Sequence, residues 1–195
     1  MPVTPLHYPF AFLIKKTGRN LSLPALVVGS VIPDIEVPIM WMFFSNLRDH
    51  FILHSLVGAL TIGTFLAVLI TRYLYAPIIS KIFKVDRKAL NELCRLSSWM
   101  VVSCILGILS HLVLDYPMHW YNPILWPWIS PDKIIGPLVL LFMQQYTLEI
   151  ASFFARALMN ILMAIIWGVI LIRLYSKGDI WNKHWIGESN PQRIQ

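Results

Sequence analysis

Three long runs of this chain are almost free of charged side chains: residues 51–71, 96–114 and 150–172. The only Asp, Glu, Lys or Arg among them is Arg156. A helix of about 20 apolar residues matches the thickness of the hydrocarbon core of a bilayer. The runs therefore predict three full membrane spans, at about 50–74, 96–116 and 148–174.

The composition supports lipid as the solvent of this chain. Of its 195 residues 57% are hydrophobic, with 16 Lys and Arg and 10 Asp and Glu. Soluble domains contain about 45–50% apolar residues. The net charge of +6 comes from cations that lie beside the apolar runs. Such cations orient spans or contact anionic headgroups, so no nucleic-acid partner is expected.

Two shorter apolar stretches, 6–14 and 21–32, are joined by a turn at 17–20. Each is about 15 Å long if helical, or half a bilayer, so we predict a half-depth N-terminal helical hairpin. The fold class is then an all-α polytopic transmembrane bundle. Residues 1–176 form one membrane-embedded domain, and 177–195 form a polar tail in which His184 is expected to be exposed.

The charges also predict an orientation. Residues 72–95 are rich in Lys and Arg, which places this segment in the cytoplasm under the positive-inside rule. The first span then begins, and the second ends, at the extracytoplasmic face. His54 and His111 therefore lie at the same membrane face. Residues 134–148 are apolar but short, and we favour an interfacial position for them over a span.

Ionisable side chains recur near that face with helical spacing. His50 and His54 are four residues apart, as are His111 and Asp115, so each pair would share a helix face. Imidazole and carboxylate are ligands of Zn²⁺, Mn²⁺ and Fe²⁺, and a mixed set suits a catalytic site. We expect zinc, with manganese or iron as alternatives. The predicted ligands are His7, Asp34, His50, His54, His111 and Asp115. A hydrogen-bonded core without metal is the alternative.

Arg156 lies inside the third predicted span. Its guanidinium group has three possible roles: contact with headgroups, an ion pair with Glu149 seven residues earlier, or binding of a substrate phosphate. We retain Arg156 as a candidate substrate-binding residue.

Several motifs resemble those of the prokaryotic membrane-bound metal-dependent hydrolases, which include the LexA-regulated inner-membrane hydrolases and related families of unknown function. The resemblance covers about the first 130 residues. It rests on Thr4 to His7, VGSVIPD (28–34), RDHFILHS (48–55), GILSHLVLDYPMHW (107–120) and ILWPW (124–128). The family spaces its two histidines in the third motif five apart, whereas here they are four apart. Asp49 or His50 therefore takes the place of the first histidine.

The resemblance implies a metal-dependent hydrolase in the prokaryotic inner membrane. We expect hydrolysis of a phosphoester or other ester of a lipid, or of a lipid-linked small molecule, by metal-bound hydroxide at the extracytoplasmic face. Glu36 or Asp49 would be the general base and His119 the proton donor. The alternative is a non-catalytic scaffold or stress-linked membrane protein with a structural metal or a hydrogen-bonded His/Asp cluster. A transporter is disfavoured because the inner halves of the spans hold few polar residues. The sequence specifies no oligomeric state.

Overall fold

A computed structural model describes residues 4–44, 48, 50–178 and 180–187, and regular structure in these ranges is helical, without strands. The α-helices are α1 (Tyr8–Thr17), α2 (Leu23–Gly29), α3 (Glu36–Phe43), α4 (Leu56–Phe83), α5 (Arg87–Leu93), α6 (Ser98–Asp115), α7 (Pro137–Met143), α8 (Leu148–Ser176) and α9 (Ile180–Trp185). Short 3₁₀ turns lie at Thr4–His7, Ile32–Ile35, Tyr116–Met118, Pro123–Leu125 and Pro131–Lys133.

Three helices in the described ranges are long and apolar enough to cross a membrane. They are α4, α6 with the turn that follows it, and α8, with 28, 21 and 29 residues. In the most apolar window of α8 only 17% of residues are buried, and Phe153, Ile161 and Ile172 are exposed. So much apolar surface needs lipid around it. The predicted bundle of three spans is confirmed.

The boundaries of the first span differ from the prediction. Helix α4 begins at Leu56 rather than near 50, because the Ser55 hydroxyl accepts the Gly58 N–H and caps the helix. It continues past 74 to Phe83 and ends where Lys84 takes a left-handed conformation, with φ of 54°. The basic segment predicted as a loop is therefore largely helical.

Helices α1 and α2 form the predicted N-terminal hairpin. Pro9 and Pro24 lie in the first turns of the two helices, where proline costs no hydrogen bond. The Ser22 hydroxyl accepts the Ala25 N–H and caps α2. Helix α2 and the segment Ile32–Phe43 form a bent pair, with an angle of 42° between their axes.

Helix α2 runs beside α6 at very close range, and this contact sets the position of the site. A Cβ atom on Gly107 would lie 2.3 Å from the Leu26 carbonyl oxygen, and one on Gly29 would lie 2.3 Å from the Cys104 carbonyl oxygen. Only glycine permits this approach. It brings the carbonyl of Ser30, at the end of α2, to the ring of His111.

The loop after α6 folds back on itself. The Asn122 side chain donates to the carbonyls of His119 and Ile134, and the Gly136 N–H donates to the His119 carbonyl. Helix α7 then packs on the start of α8. At seven residues α7 is too short to cross a membrane, which agrees with the preferred interfacial position of 134–148.

The C-terminal tail departs from the prediction. Part of it forms α9, and His184 is 2% exposed instead of lying in solvent. Its ring stacks on Tyr8 with 4.0 Å between centroids, and the Tyr8 hydroxyl donates to the His184 carbonyl. The aromatic rings of Tyr8, Trp167 and Trp185 make an apolar seat that stabilises the tail helix.

Candidate metal centre

Four separate segments bring their imidazoles and carboxylates to one buried point. His7 comes from the first 3₁₀ turn, Asp34 from the turn after α2, and His111 with Asp115 from the end of α6. The segment before α4 adds His50 and His54. None of these six side chains is more than 8% exposed. The predicted gathering of the ligand candidates is confirmed.

Asp115 lies at the centre of the cluster. Its Oδ1 is 3.6 Å from Nε2 of His7. Its Oδ2 is 3.3 Å from Nε2 of His111, 3.8 Å from Nε2 of His54 and 3.6 Å from Nε2 of His119. Four imidazoles thus surround one carboxylate, with His7 on one oxygen and the other three on the second.

Asp34 closes the other side. Its Oδ1 is 3.5 Å from Nε2 of His111 and 3.8 Å from Nε2 of His54, and those two nitrogens are 3.3 Å apart. Among the described residues both buried carboxylates lack a well-formed hydrogen bond, and histidine nitrogens lie 3.3 to 3.8 Å from them. A buried carboxylate in that state is costly unless a cation compensates it.

The separations of these atoms suit a metal ion. Ligands at about 2.1 Å from a tetrahedral zinc ion lie about 3.4 Å from each other. The contacts of Asp34 and Asp115 with His54 and His111 span 3.3 to 3.8 Å. Two overlapping ligand groups are present, each with its ligand atoms within 4.8 Å of one another. They are Asp34, His50, His54 and Asp115, and His7, His111 and Asp115.

Asp115 belongs to both groups. His7 stacks on His111 with 4.0 Å between ring centroids, which holds the second group together. The donor set is imidazole nitrogen and carboxylate oxygen, which suits zinc, manganese and iron.

Groups behind the ligands fix the orientation of two imidazoles. Nδ1 of His111 lies 2.9 Å from the Ser30 carbonyl oxygen, which requires the Nδ1–H tautomer and leaves Nε2 for the cluster. Nδ1 of His54 lies 3.2 Å from Oε2 of Glu36. A carboxylate or carbonyl behind a histidine is the usual support of a metal ligand.

Glu36 was predicted as a general base, but it lies behind His54. Its oxygens accept the N–H groups of Ile52 at 2.6 Å and Leu53 at 2.8 Å in addition to the contact with His54. With both oxygens engaged in this way, the carboxylate is placed to position His54. A role in proton transfer from water stays a prediction.

His50 and His54 do not share a helix face, because residues 50–55 form bends and turns before α4. Glu36 binds the backbone of this segment and so competes with helical hydrogen bonds there. The two rings nevertheless lie 4.3 Å apart, and His50 is 4.9 Å from the ring of His119. The predicted proximity holds by another route than the predicted helix.

The electrostatics around the cluster are uneven. Burial lowers the pKa of His7 to about 3, with the neighbouring His111 adding to the effect. Burial also lowers the pKa of His119 to about 3. Burial acts in the same direction on His54, but the nearby Asp34 and Glu36 outweigh it and raise its pKa to about 9. Neutral His7 and His119 are in the form that binds metals, whereas His54 carries a proton that a bound metal ion would replace.

A small cleft reaches the cluster from outside. It holds about 20 Å³, which is room for about one water molecule. Its wall includes the side chains of His50, His54, Asp115, His119 and Tyr121.

The other predicted site residues, Asp49 and Arg156, are not among the described residues that form the cluster or line the cleft. Asp49 falls outside the described residues. Arg156 is exposed on α8, and its Nε–H donates to the Ser152 carbonyl instead of meeting Glu149. The sequence analysis missed Arg48, whose guanidinium lies over Trp120 and Tyr121. The sequence feature that could have indicated Arg48 is its position two residues before His50.

Fold and site together define a helical membrane protein with a buried His/Asp group that could bind a metal ion. A family model described as a domain of unknown function, DUF4184, matches residues 1–150. The chain belongs to this family, and the match includes the six predicted metal ligands and His119. No curated protein and no solved structure matches the chain.

Proposed function

We propose that this protein is a membrane-bound metal-dependent hydrolase, with a phosphoester or other ester of a lipid or lipid-linked molecule as substrate. The observation that carries the proposal is the pair of buried carboxylates, Asp34 and Asp115, surrounded by imidazoles beside a small cleft. A fully enclosed cluster would be as compatible with a structural role as with a catalytic one. The cleft has room for about one water molecule, and Asp115 and His119 line it.

The ligands of the proposed centre are His7, Asp34, His50, His54, His111 and Asp115, with zinc as the expected ion. A divalent cation held there would polarise a scissile group and acidify a water molecule. The chain supplies the remaining requirements. Glu36 and the Ser30 carbonyl orient His54 and His111. His119 lines the cleft beside Asp115, where it is placed to move a proton during hydrolysis.

The location supports a substrate at the level of lipid headgroups. The cluster lies where α6 ends and α4 begins, at one end of two membrane-spanning helices. Exposed aromatic side chains, Trp41, Phe43 and Trp128, belong to the segments beside it. Such residues gather at the interface of a membrane with water. By the distribution of basic residues we propose that this end lies at the extracytoplasmic face. The prokaryotic inner membrane is what the family resemblance implies.

A second candidate function is a non-catalytic scaffold with a structural metal. The close helix contact at Gly107 and the buried cluster would suit that role too. The cleft favours the enzyme, because a structural site has no need of an open position.

Hydrolysis by detergent-purified protein tests the proposal. The substrates are bis(p-nitrophenyl) phosphate, p-nitrophenyl acetate and a short-chain phospholipid, each with added Zn²⁺, Mn²⁺ or Fe²⁺. We expect metal-dependent hydrolysis that falls at least about 100-fold in His111→Ala, since loss of a supporting group alone costs 10–100-fold. His184→Gln is the matched control, because His184 is equally buried but lies in the aromatic seat of α9. Equal rates for wild type and His111→Ala would contradict the proposal. Metal binding without hydrolysis of any substrate would favour the scaffold.

A further inference from the structure

Arg48 lies on an aromatic platform. Its guanidinium carbon is 4.3 Å from the ring centre of Trp120 and 4.4 Å from that of Tyr121. Nη2 of Arg48 is 3.4 Å from Oδ1 of Asp132. Contacts with aromatic faces hold an arginine in place and leave the N–H groups at its edge available.

The platform adjoins the cleft of the metal centre. Trp120 and Tyr121 directly follow His119, and Arg48 lies two residues before His50, which is at most about 7 Å of chain. The rings of His50 and His119 are 4.9 Å apart, so the two short segments lie side by side. Tyr121 carries the guanidinium and also lines the cleft beside Asp115. Arg48 is therefore at the mouth of the cleft.

The partner of Arg48 is one that a ligand can replace. The side chains of Arg48 and Asp132 are 45% and 60% exposed, and an exposed ion pair of this kind contributes little stability. A phosphate group offers the guanidinium two oxygens in parallel and so binds it better than the single Asp132 contact.

We propose that Arg48 on its Trp120–Tyr121 platform is an anion-binding site that holds a phosphate group of the substrate at the mouth of the cleft. This inference rests on the proposed function, because it names a phosphate ester as the class of molecule on which the proposed centre acts. It also makes Arg48, in place of Arg156, the residue that recognises the phosphate.

Binding measurements test the site without relying on catalysis. Calorimetry on the purified, metal-loaded protein would use three ligands: inorganic phosphate, glycerol phosphate and monomeric dihexanoyl phosphatidylglycerol. Arg48→Gln should weaken phosphate binding about 10–100-fold, the usual contribution of charged hydrogen bonds. Arg48→Lys should restore part of it, because lysine keeps the charge without the planar fork. Arg95→Gln removes an exposed arginine at the other end of α6 and should bind like wild type.

The three ligands separate two sources of the phosphate group. A lipid substrate predicts that dihexanoyl phosphatidylglycerol binds more tightly than glycerol phosphate, with both dependent on Arg48. A soluble phosphate ligand predicts that inorganic phosphate and glycerol phosphate bind at least as tightly as the lipid.

The metal content of each variant, measured in parallel, separates this inference from the proposed function. Loss of phosphate binding in Arg48→Gln at unchanged metal content supports the site. Arg48-dependent binding by a protein that holds no metal supports the site and removes the hydrolase. No phosphate binding by wild type, or equal binding by wild type and Arg48→Gln, would overturn the inference.

Discussion

The substitution Glu36→Gln gives the sharpest view of how the fold supports the centre. The carboxylate accepts two backbone N–H groups, at 2.6 and 2.8 Å, and faces Nδ1 of His54 at 3.2 Å. Glutamine has the same shape but only one acceptor oxygen, so its amide must face one of these donors. Leaving a buried N–H unpaired costs about 1–3 kcal/mol of stability.

The same substitution weakens the centre. Without a carboxylate behind it, His54 loses the partner that fixes its tautomer and its ring orientation. We expect metal affinity to fall about 10–100-fold, equivalent to about 1.4–2.8 kcal/mol. Glu36→Asp keeps the negative charge but has a shorter side chain. We expect the free energy of unfolding to fall less than the free energy of metal binding.

Competition with a chromophoric chelator measures the affinity, and thermal unfolding in detergent with and without metal measures the stability. Glu149→Gln, an exposed acid in the first turn of α8, is the control. Unchanged metal affinity in Glu36→Gln, together with a fall in the hydrolysis rate, would refute the positioning role. That result would return Glu36 to the general base that its sequence context suggested.

Three further outcomes are expected. Asp115→Asn should lower the bound metal, measured by elemental analysis, because Asp115 belongs to both ligand groups. Gly107→Ala should lower the melting temperature, since its Cβ would meet a backbone oxygen at 2.3 Å and force α2 and α6 apart. Burial lowers the pKa of His184 to about 4, so the unfolded chain binds more protons between pH 6.5 and 4 and the melting temperature should fall with pH in that range.

Controls exist for each of these. Equal metal content in wild type and Asp115→Asn would contradict the ligand role of Asp115. Gly168→Ala should leave the melting temperature unchanged or raised, because a Cβ there has nothing within 4 Å and alanine favours a helix by about 1 kcal/mol. His184→Phe should reduce the slope of melting temperature against pH. The same slope in wild type and His184→Phe would show that this residue is not buried as described.

The spans were predictable because a membrane-crossing helix requires a run of about 20 apolar residues, which can be recognised in the sequence directly. Runs without charge between basic segments predicted three spans, and the described residues contain three helices that are long and apolar enough to cross a membrane. The gathering of His54 and His111 followed from orientation alone, since the start of one span and the end of the next meet at one face. Their Nε2 atoms are 3.3 Å apart.

The remaining details depend on contacts between distant residues. The non-helical segment that carries His50 results from its backbone bonds to Glu36, 16 residues earlier in the case of Ile52. The burial of His184 depends on Tyr8, 176 residues away. The contact of Arg48 with Trp120 forms only when the loop after α6 brings Trp120 beneath the guanidinium. The spacing of residues along the chain does not indicate such long-range contacts.

We propose that a cation occupies the cluster, and elemental analysis of detergent-purified protein is the most direct test. The comparison is between wild type, the double variant His54→Ala/His111→Ala, and the buried control His184→Gln. We predict stoichiometric divalent metal in wild type and in the control, and less than a tenth of that amount in the double variant. Equal metal content in all three proteins, or none in wild type after incubation with zinc, manganese and iron, would contradict the account.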